Sequence, residues 1–255
     1  MQHFYMPAFY GGYFCIKEVF MFEHELTPQV KIISKPDNIL RTVYTACRTC
    51  YSADSPININ NCQNAQDENK ALSLINKVIS SGHYSTIEHI QISFAISGIS
   101  RACSHQLVRH RLMSFSQKSQ RYVREKEQFD YVVPNTIKKN SELYLKYQNF
   151  MKQTTELYLE MTEKGIPAED ARFILPNATS TSMVASLNLR EMIHLANLRL
   201  CSRAQAEIRT LVKLMCDELI LQEPWLKNYL VPKCEKLGFC DEDKSCGRMA
   251  KRGLD

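Results

Sequence analysis

Arg109 to Tyr122 reads Arg-His-Arg-Leu-Met-Ser-Phe-Ser-Gln-Lys-Ser-Gln-Arg-Tyr, and the rest of the chain is organised around it. The stretch crowds arginines, a histidine, serines and glutamines together with little apolar periodicity. A buried guanidinium needs its own acceptors, so this composition is unsuited to the interior of a helix or strand. It reads as a loop that receives anions. Arg109, Arg111 and Arg121 offer forked donors for phosphate or carboxylate, and Ser114, Ser116 and Ser119 add hydroxyls. A solvated basic loop, or a patch for nucleic acid, is the other reading of such a segment.

At 255 residues, 44% of them hydrophobic and 23% charged, the chain is long enough for one well-buried domain. The net charge of +5 suits phosphorylated ligands and nucleic acid equally, so it separates no classes. No apolar run approaches membrane-spanning length, and the N-terminus lacks the build of a signal peptide, so a cytoplasmic protein is expected. In that setting ten cysteines read as free thiols or metal ligands rather than disulfides.

In chain order, residues 1–20 place aromatic residues around Gly11-Gly12 without a helical or strand period, and read as a weakly ordered extension with Met21 as an alternative start. Val30 to Ile33 is a short strand. Pro36-Asp37 opens a helix with Ile39, Leu40, Val43, Tyr44, Cys47 and Cys50 on one face, which makes Cys47 and Cys50 core cysteines. Asn58 to Gln66 is polar and reads as a loop, and Asp67 to Ser81 as a helix stopped by Gly82. His83 to His89 lies at a helix-to-strand junction, and its His-x5-His spacing has no preferred zinc geometry. Ile90, Ile92, Phe94 and Ile96 alternate with polar or small residues, as in a half-buried strand.

Ser100 caps a short helix through Val108, which sets Gln106 and Arg109 one turn apart. After the Arg-rich loop, Tyr131 to Pro134 reads as an edge strand. A long helix from Ser141 to Lys164 carries Leu143, Tyr147, Phe150, Leu157 and Met161 as its apolar stripe, and Pro167 opens the helix bearing Arg172. Ala178 to Leu187 is a strand. Asn188 and Glu191 resemble a capping box, with Glu191 reaching back, for a helix that puts Arg190 and His194 on one side and closes at Arg199 and Ser202. Ala204 to Leu221 is a helix packing Ile208, Leu211, Val212, Met215 and Leu219. The expected fold is α+β, a single domain with a mostly antiparallel sheet flanked by long helices.

The tail after Val231 lacks apolar period. Cys234, Cys240 and Cys246, with five residues between each, are either an incomplete zinc site borrowing a fourth ligand or reduced surface cysteines. The second is the expectation, so no metal site is assigned.

Arg-His-Arg, seven residues, Ser, one residue and Arg-Tyr resembles the signature of the flavin-dependent thymidylate synthases. Three further stretches are similar in matching order: His83 to His89, Ala171-Arg172 with its following Leu-Pro, and Asn188 through Arg190, His194, Arg199 and Arg203-Ala-Gln-x-Glu-Ile-Arg209. The resemblance implies a catalytic domain over 21–230 and an enzyme methylating dUMP to dTMP. Methylenetetrahydrofolate is then the carbon donor and NADPH-reduced FAD the hydride source. Gln106, Arg109, Gln117, Ser119, Gln120, Arg121, Arg172 and Arg199 would hold the nucleotide. His83, Ser85, Arg109, His110, Arg111, Gln117, Asn188, Arg190 and His194 would hold FAD. Where many members carry Asn and Glu this chain has Ser116 and Gln117, and Gln117 keeps a hydrogen-bonding role without the charge of a base. The resemblance also implies a homotetramer with shared active sites, and excludes nucleic acid and membrane as partners.

A thymidylate synthase without flavin needs a nucleophilic cysteine between Pro and His or Gln, and none of the ten has that setting. Ser119 lacks an adjacent base, and no carboxylate near His110 in sequence is evident to orient it. Arg199 is therefore the expected catalytic residue, stabilising charge on the uracil. The alternative is a basic nucleic-acid-binding or flavin-dependent RNA-methylating protein. It needs aromatics interleaved with basic residues, and only Phe115 and Tyr122 fill that part.

Overall fold

The structure is a computed structural model and describes residues 26–252; the expected extension over 1–20 and the Met21 start lie outside the described residues. Strand β1 (Gln29–Ser34) leads to helix α1 (Ile39–Thr49). The cap of α1 is Asn38, whose side chain accepts the Arg41 N–H at 2.8 Å, two residues beyond the expected Pro36 start. Cys47 is fully buried in the core, whereas Cys50 is the exposed residue that ends the helix. The expected loop over 58–66 is instead two short helices, α2 (Pro56–Asn61) and α3 (Gln63–Gln66). Ser55 caps α2, Pro56 sits in its first turn, and Ile59 and Ala65 are buried, so a helix start and two anchors outweigh the polar composition.

Helix α4 (Glu68–Ser80) is capped by Asp67 and followed by Gly82 at φ 83°, as its sequence implies. A 3-10 turn (Tyr84–Ile87) then feeds strand β2 (Gln91–Ser100), and Ser100 caps helix α5 (Arg101–Leu107) by accepting the Cys103 N–H at 3.0 Å. The basic signature does not remain a loop, because Met113–Gln117 forms strand β3 against a later strand. Met113 and Phe115 pack against the core while Ser114 and Ser116 face out. Two inward apolar residues at period two suffice for an edge strand, and the polar residues keep the open side.

Short helix α6 (Asn135–Lys138) precedes the long helix α7 (Ser141–Glu163), followed by α8 (Ala168–Ala171) and a 3-10 turn (Arg172–Ile174). The expected edge strand at 131–134 is reduced to one bridge, Tyr131 to Thr179; Pro134 has no N–H to extend it. The expected stripe on α7 is also corrected. Leu143, Phe150 and Leu157 are about half exposed (53%, 55% and 49%), whereas Met151, Thr154, Thr155 and Tyr158 are buried. Thr154 and Thr155 donate their hydroxyls to the carbonyls of Phe150 and Met151, both at 2.9 Å, and so tolerate burial. This helix packs on α8 and its 3-10 turn, apart from the main core.

Strand β4 (Ser180–Asn188) runs directly into helix α9 (Leu189–Arg199); helix α10 (Ala206–Gln222), a 3-10 turn (Pro224–Asn228) and α11 (Lys233–Leu237) complete the order. The fold is α+β. The four strands among the described residues form one antiparallel sheet in the order β1-β2-β4-β3. Ile32, Phe94, Ala185 and Phe115 form one row across it and pack into the core with α1, α4, α9 and α10. The neighbouring row, Lys31, Ala95, Val184 and Ser116, faces away. The sheet thus has one apolar face, and β3 begins opposite Leu187, at the end of β4 that runs into α9.

Gly98 bends β2 at φ 70°, and a Cβ there would lie 2.6 Å from the Thr27 carbonyl oxygen. Gly82 also has positive φ but nothing within 4 Å. Gly98→Ala should therefore cost more stability than Gly82→Ala, which carries only the left-handed penalty of about 1–2 kcal/mol. Urea denaturation of the two variants checks this; equal losses would remove the close approach as a constraint.

Candidate active site

The best-defined polar arrangement joins the turn after α5 to helix α9. Arg199 donates from Nε to His110 Nε2 at 3.1 Å and from a terminal nitrogen to the Gln106 carbonyl at 3.4 Å. His110 Nδ1 lies 3.1 Å from Glu191 Oε1, and both side chains are buried. An arginine cannot accept, so His110 Nε2 carries the lone pair and Nδ1–H donates to Glu191. Burial holds the imidazole below its ordinary pKa, opposed by the Glu191 hydrogen bond and reinforced by the Arg199 charge. His110 is thus a neutral imidazole fixed between a carboxylate and a guanidinium. Asn188 caps α9 as expected, accepting the Glu191 N–H at 2.9 Å. The Glu191 carboxylate goes to His110, the orienting group that sequence reading did not find because it lies 81 residues away.

A second group surrounds Glu169. Arg121 grips one Glu169 carboxylate oxygen through two nitrogens at 2.8 Å, and Arg172 donates to the Glu169 carbonyl at 3.1 Å. Arg101, which the sequence reading passed over, is half-buried near Arg172. Burial first, then the like charge of Arg172, hold its guanidinium below the usual arginine range. Of these arginines only Arg121 meets a carboxylate, so Arg172 and Arg101 keep positive charge for an anion. Ser119 accepts the Arg121 N–H at 3.2 Å, turning the chain after β3. Gln117 donates its amide to Ser104 at 3.0 Å and to Thr181 at 3.2 Å, leaving its carbonyl oxygen as acceptor.

The third group lies where α9 begins. Arg190 pairs with Glu88 at 2.5 Å and sits over the Tyr84 ring, 5.9 Å from its centroid, which puts it beside the turn carrying His83 and Ser85. His83, Ser85, Arg190 and His194 are exposed, as are Arg109 and Arg111. Asn188 is committed to its cap, and the His194 ring lies 6.1 Å from that of His110. The fold therefore brings Gln106, His110, His194 and Arg199 together, and Arg121 with Arg172. Gln120 makes no hydrogen bond among the described residues that ties it to either group.

His110, Glu191 and His194 also place three potential metal-ligand atoms within 4.8 Å. Both His110 nitrogens are already engaged, and the Arg199 charge opposes a cation there, so the group is better matched to positioning than to a metal. Exposed basic and hydroxyl donors at the start of α9 fit an anionic cofactor.

The family model described as thymidylate synthase complementing protein (Thy1) matches residues 31–225. A flavin-dependent thymidylate synthase of Nitratidesulfovibrio vulgaris is 37% identical over 240 residues, covering 88% of this chain and 96% of that one. One of Pyrococcus abyssi is 45% identical over 175 residues, covering 65% and 71%. A crystal structure of a UMP/dUMP methylase, PolB, from Streptomyces cacaoi, bound with 5-Br dUMP, superposes with a TM-score of 0.67 over 81% of this chain and 98% of that one. At 20% identity that last likeness establishes the fold alone.

A neutral buried histidine has a sign. Its folded pKa lies below the unfolded value of about 6.5, so its contribution is present above that pH and is lost as pH falls toward the folded value. The melting temperature should decline as pH drops below about 6.5, and His110→Asn should lack that limb. An unchanged limb in the variant would assign it to other groups.

Proposed function

This chain belongs to the Thy1 family of flavin-dependent thymidylate synthases, and from that premise we propose that it methylates dUMP to dTMP with methylenetetrahydrofolate as carbon donor, FAD as the flavin and NADPH as its reductant. The observation that carries the reading is Arg199. Both of its hydrogen-bond partners, His110 Nε2 and the Gln106 carbonyl, are uncharged, so its positive charge is left for a ligand. Glu191 and His110 hold the guanidinium in place, and a preorganised cation of this kind stabilises negative charge on a uracil ring as carbon 5 becomes electron-rich.

The thiols fit a route without a cysteine nucleophile. Burial pushes Cys103 far up and Cys216 up to about 12, so neither is a thiolate at neutral pH. Arg121 and Arg172, with Ser119 and Gln117 beside them, would take the nucleotide, its phosphate replacing or sharing the Glu169 contact of Arg121. Gln106, Arg109 and Gln120 complete that set in the proposal. His83, Ser85, Arg190 and His194, with Arg109, His110, Arg111, Gln117 and Asn188, would hold FAD, which supplies the hydride when bound.

Hydrogen bonds and ion pairs divide these residues into three separate groups within one chain. A homotetramer with sites shared between subunits would unite them, and the exposed Leu143, Phe150 and Leu157 offer apolar area for such contacts. Among the described residues no helix is long and apolar enough to cross a membrane.

The purified protein should carry or take up FAD, and dUMP should accelerate its NADPH oxidation. Arg199→Ala should keep flavin and lose methyl transfer by roughly 100–1000-fold, about 3–4 kcal/mol. Ser119→Ala should mainly raise KM for the nucleotide. Folded protein that takes up no flavin would refute the reading. A covalent nucleotide adduct at Ser119, or a loss under tenfold in Arg199→Ala, would overturn the role of Arg199.

A further inference from the structure

The tail after Val231 is more ordered than its composition implies, and little apolar packing accounts for that. From Val231 to Arg252 only Pro232 and Cys240 are buried. Helix α11 is five residues long and ends at Gly238 with φ 77°, two residues before Cys240. Cys240 then pairs with the end of the tail: its N–H donates to the Ala250 carbonyl at 2.7 Å, and its own carbonyl accepts from the Arg252 N–H at 3.4 Å. Gly247, directly after Cys246, also takes positive φ, and its N–H donates to Ser245 Oγ at 3.1 Å. Fixed turns around so few buried side chains are characteristic of segments held by a staple rather than a core.

The side chain that the tail lacked in sequence is supplied by the end of α9. Cys201, Cys234, Cys240 and Cys246 line one cavity, although Cys201 comes from the far side of α10 in sequence. Both carboxylates lining the same cavity are already paired, Asp241 with Lys233 and Glu242 with Arg203 at 3.5 Å, and the other charged groups there, Lys244 and Arg248, are cations that cannot ligate a metal. Four thiols thus remain as its uncommitted soft donors.

We propose that Cys201, Cys234, Cys240 and Cys246 form a four-thiolate structural site for zinc, clamping the tail to the end of α9. Four sulfur ligands in a closed site select a tetrahedral, redox-inert ion. Among the described residues only His110, Glu191 and His194 put three ligand atoms within 4.8 Å, so the four thiols stand farther apart than a bound ion requires and binding would draw their side chains together. The five-residue gaps are wider than those of common zinc hairpins, and the left-handed glycines at 238 and 247 supply the turns that such gaps need. Cys201 lies two residues from Arg199, so this clamp would brace the end of the helix that carries the uracil-facing cation. The site itself stands independently of the proposed reaction.

The test is metal content of the full-length protein, purified without a metal-affinity tag. About one zinc per chain is expected, lost from Cys201→Ser and from Cys240→Ser and kept in Cys50→Ser, whose thiol is exposed elsewhere. Cobalt exchanged into the wild-type protein should give intense thiolate-to-metal absorption, which reports sulfur ligation without relying on a variant that folds. Protein without bound zinc, zinc retained in both ligand variants, cobalt without thiolate bands, or a disulfide between any two of the four overturns the proposal. Flavin uptake is measured on the same samples, so loss of the zinc site and failure of the proposed reaction give different results.

Discussion

A neutral imidazole buried between a carboxylate and a guanidinium fixes the geometry of this protein's site. His110 enters from the turn before β3, and Glu191 and Arg199 enter from opposite ends of α9. An imidazole that accepted at Nε2 without donating at Nδ1 would leave a buried polar nitrogen unmatched, a cost of about 1–3 kcal/mol. Glu191 prevents that, and the same contact selects the tautomer that can receive Arg199. The arginine is consequently held by neutral partners and keeps its charge for chemistry. The other arginines of the site are held differently: Arg109, Arg111 and Arg190 are exposed, Arg121 meets the Glu169 carboxylate, Arg172 bonds the Glu169 carbonyl, and Arg101 is half-buried beside Arg172.

The sheet makes the arrangement possible. Strand β4 passes through the middle, pairing β2 on one side and β3 on the other, and continues without a break into α9. The residues after α5 and those along α9 are therefore brought together by a single strand and its neighbour. Because β3 hydrogen-bonds only to β4, its polar side chains can stay at an open edge, where Gln117 is steadied by Ser104 and Thr181. Charges that would be costly in the interior are displayed along a rigid element instead.

Elements with strong local signals were legible from residue order. The half-buried strand at 91–100, the Ser100 and Asn188 caps, the core face of α10 and the Gly82 stop all follow from period and capping chemistry. Where sequence reading went astray, a competing interaction decided. Asn-rich 56–66 became helical because Ile59 and Ala65 had a core to enter. The face of α7 that looked apolar stayed exposed, since the helix packs on α8 and buries Met151 and Tyr158 together with two threonines whose hydroxyls are satisfied by its own backbone.

The sequence alone carried the resemblance to the flavin-dependent thymidylate synthases, because the Arg109 to Tyr122 signature and the stretches that match in order with it are readable without coordinates. It also named Arg199, His110 and Arg172 as residues of interest. Which groups touch was decided only in three dimensions. Glu191 read as a local cap because capping is a three-residue relation, whereas its carboxylate is used across 81 residues. Arg101 and Glu169 carried no motif and joined the basic group only by proximity. Cys201 and the three tail cysteines likewise share a cavity through the packing of α11 on α9. Local chemistry is written along the chain, but desolvation and partner choice depend on neighbours that only folding supplies.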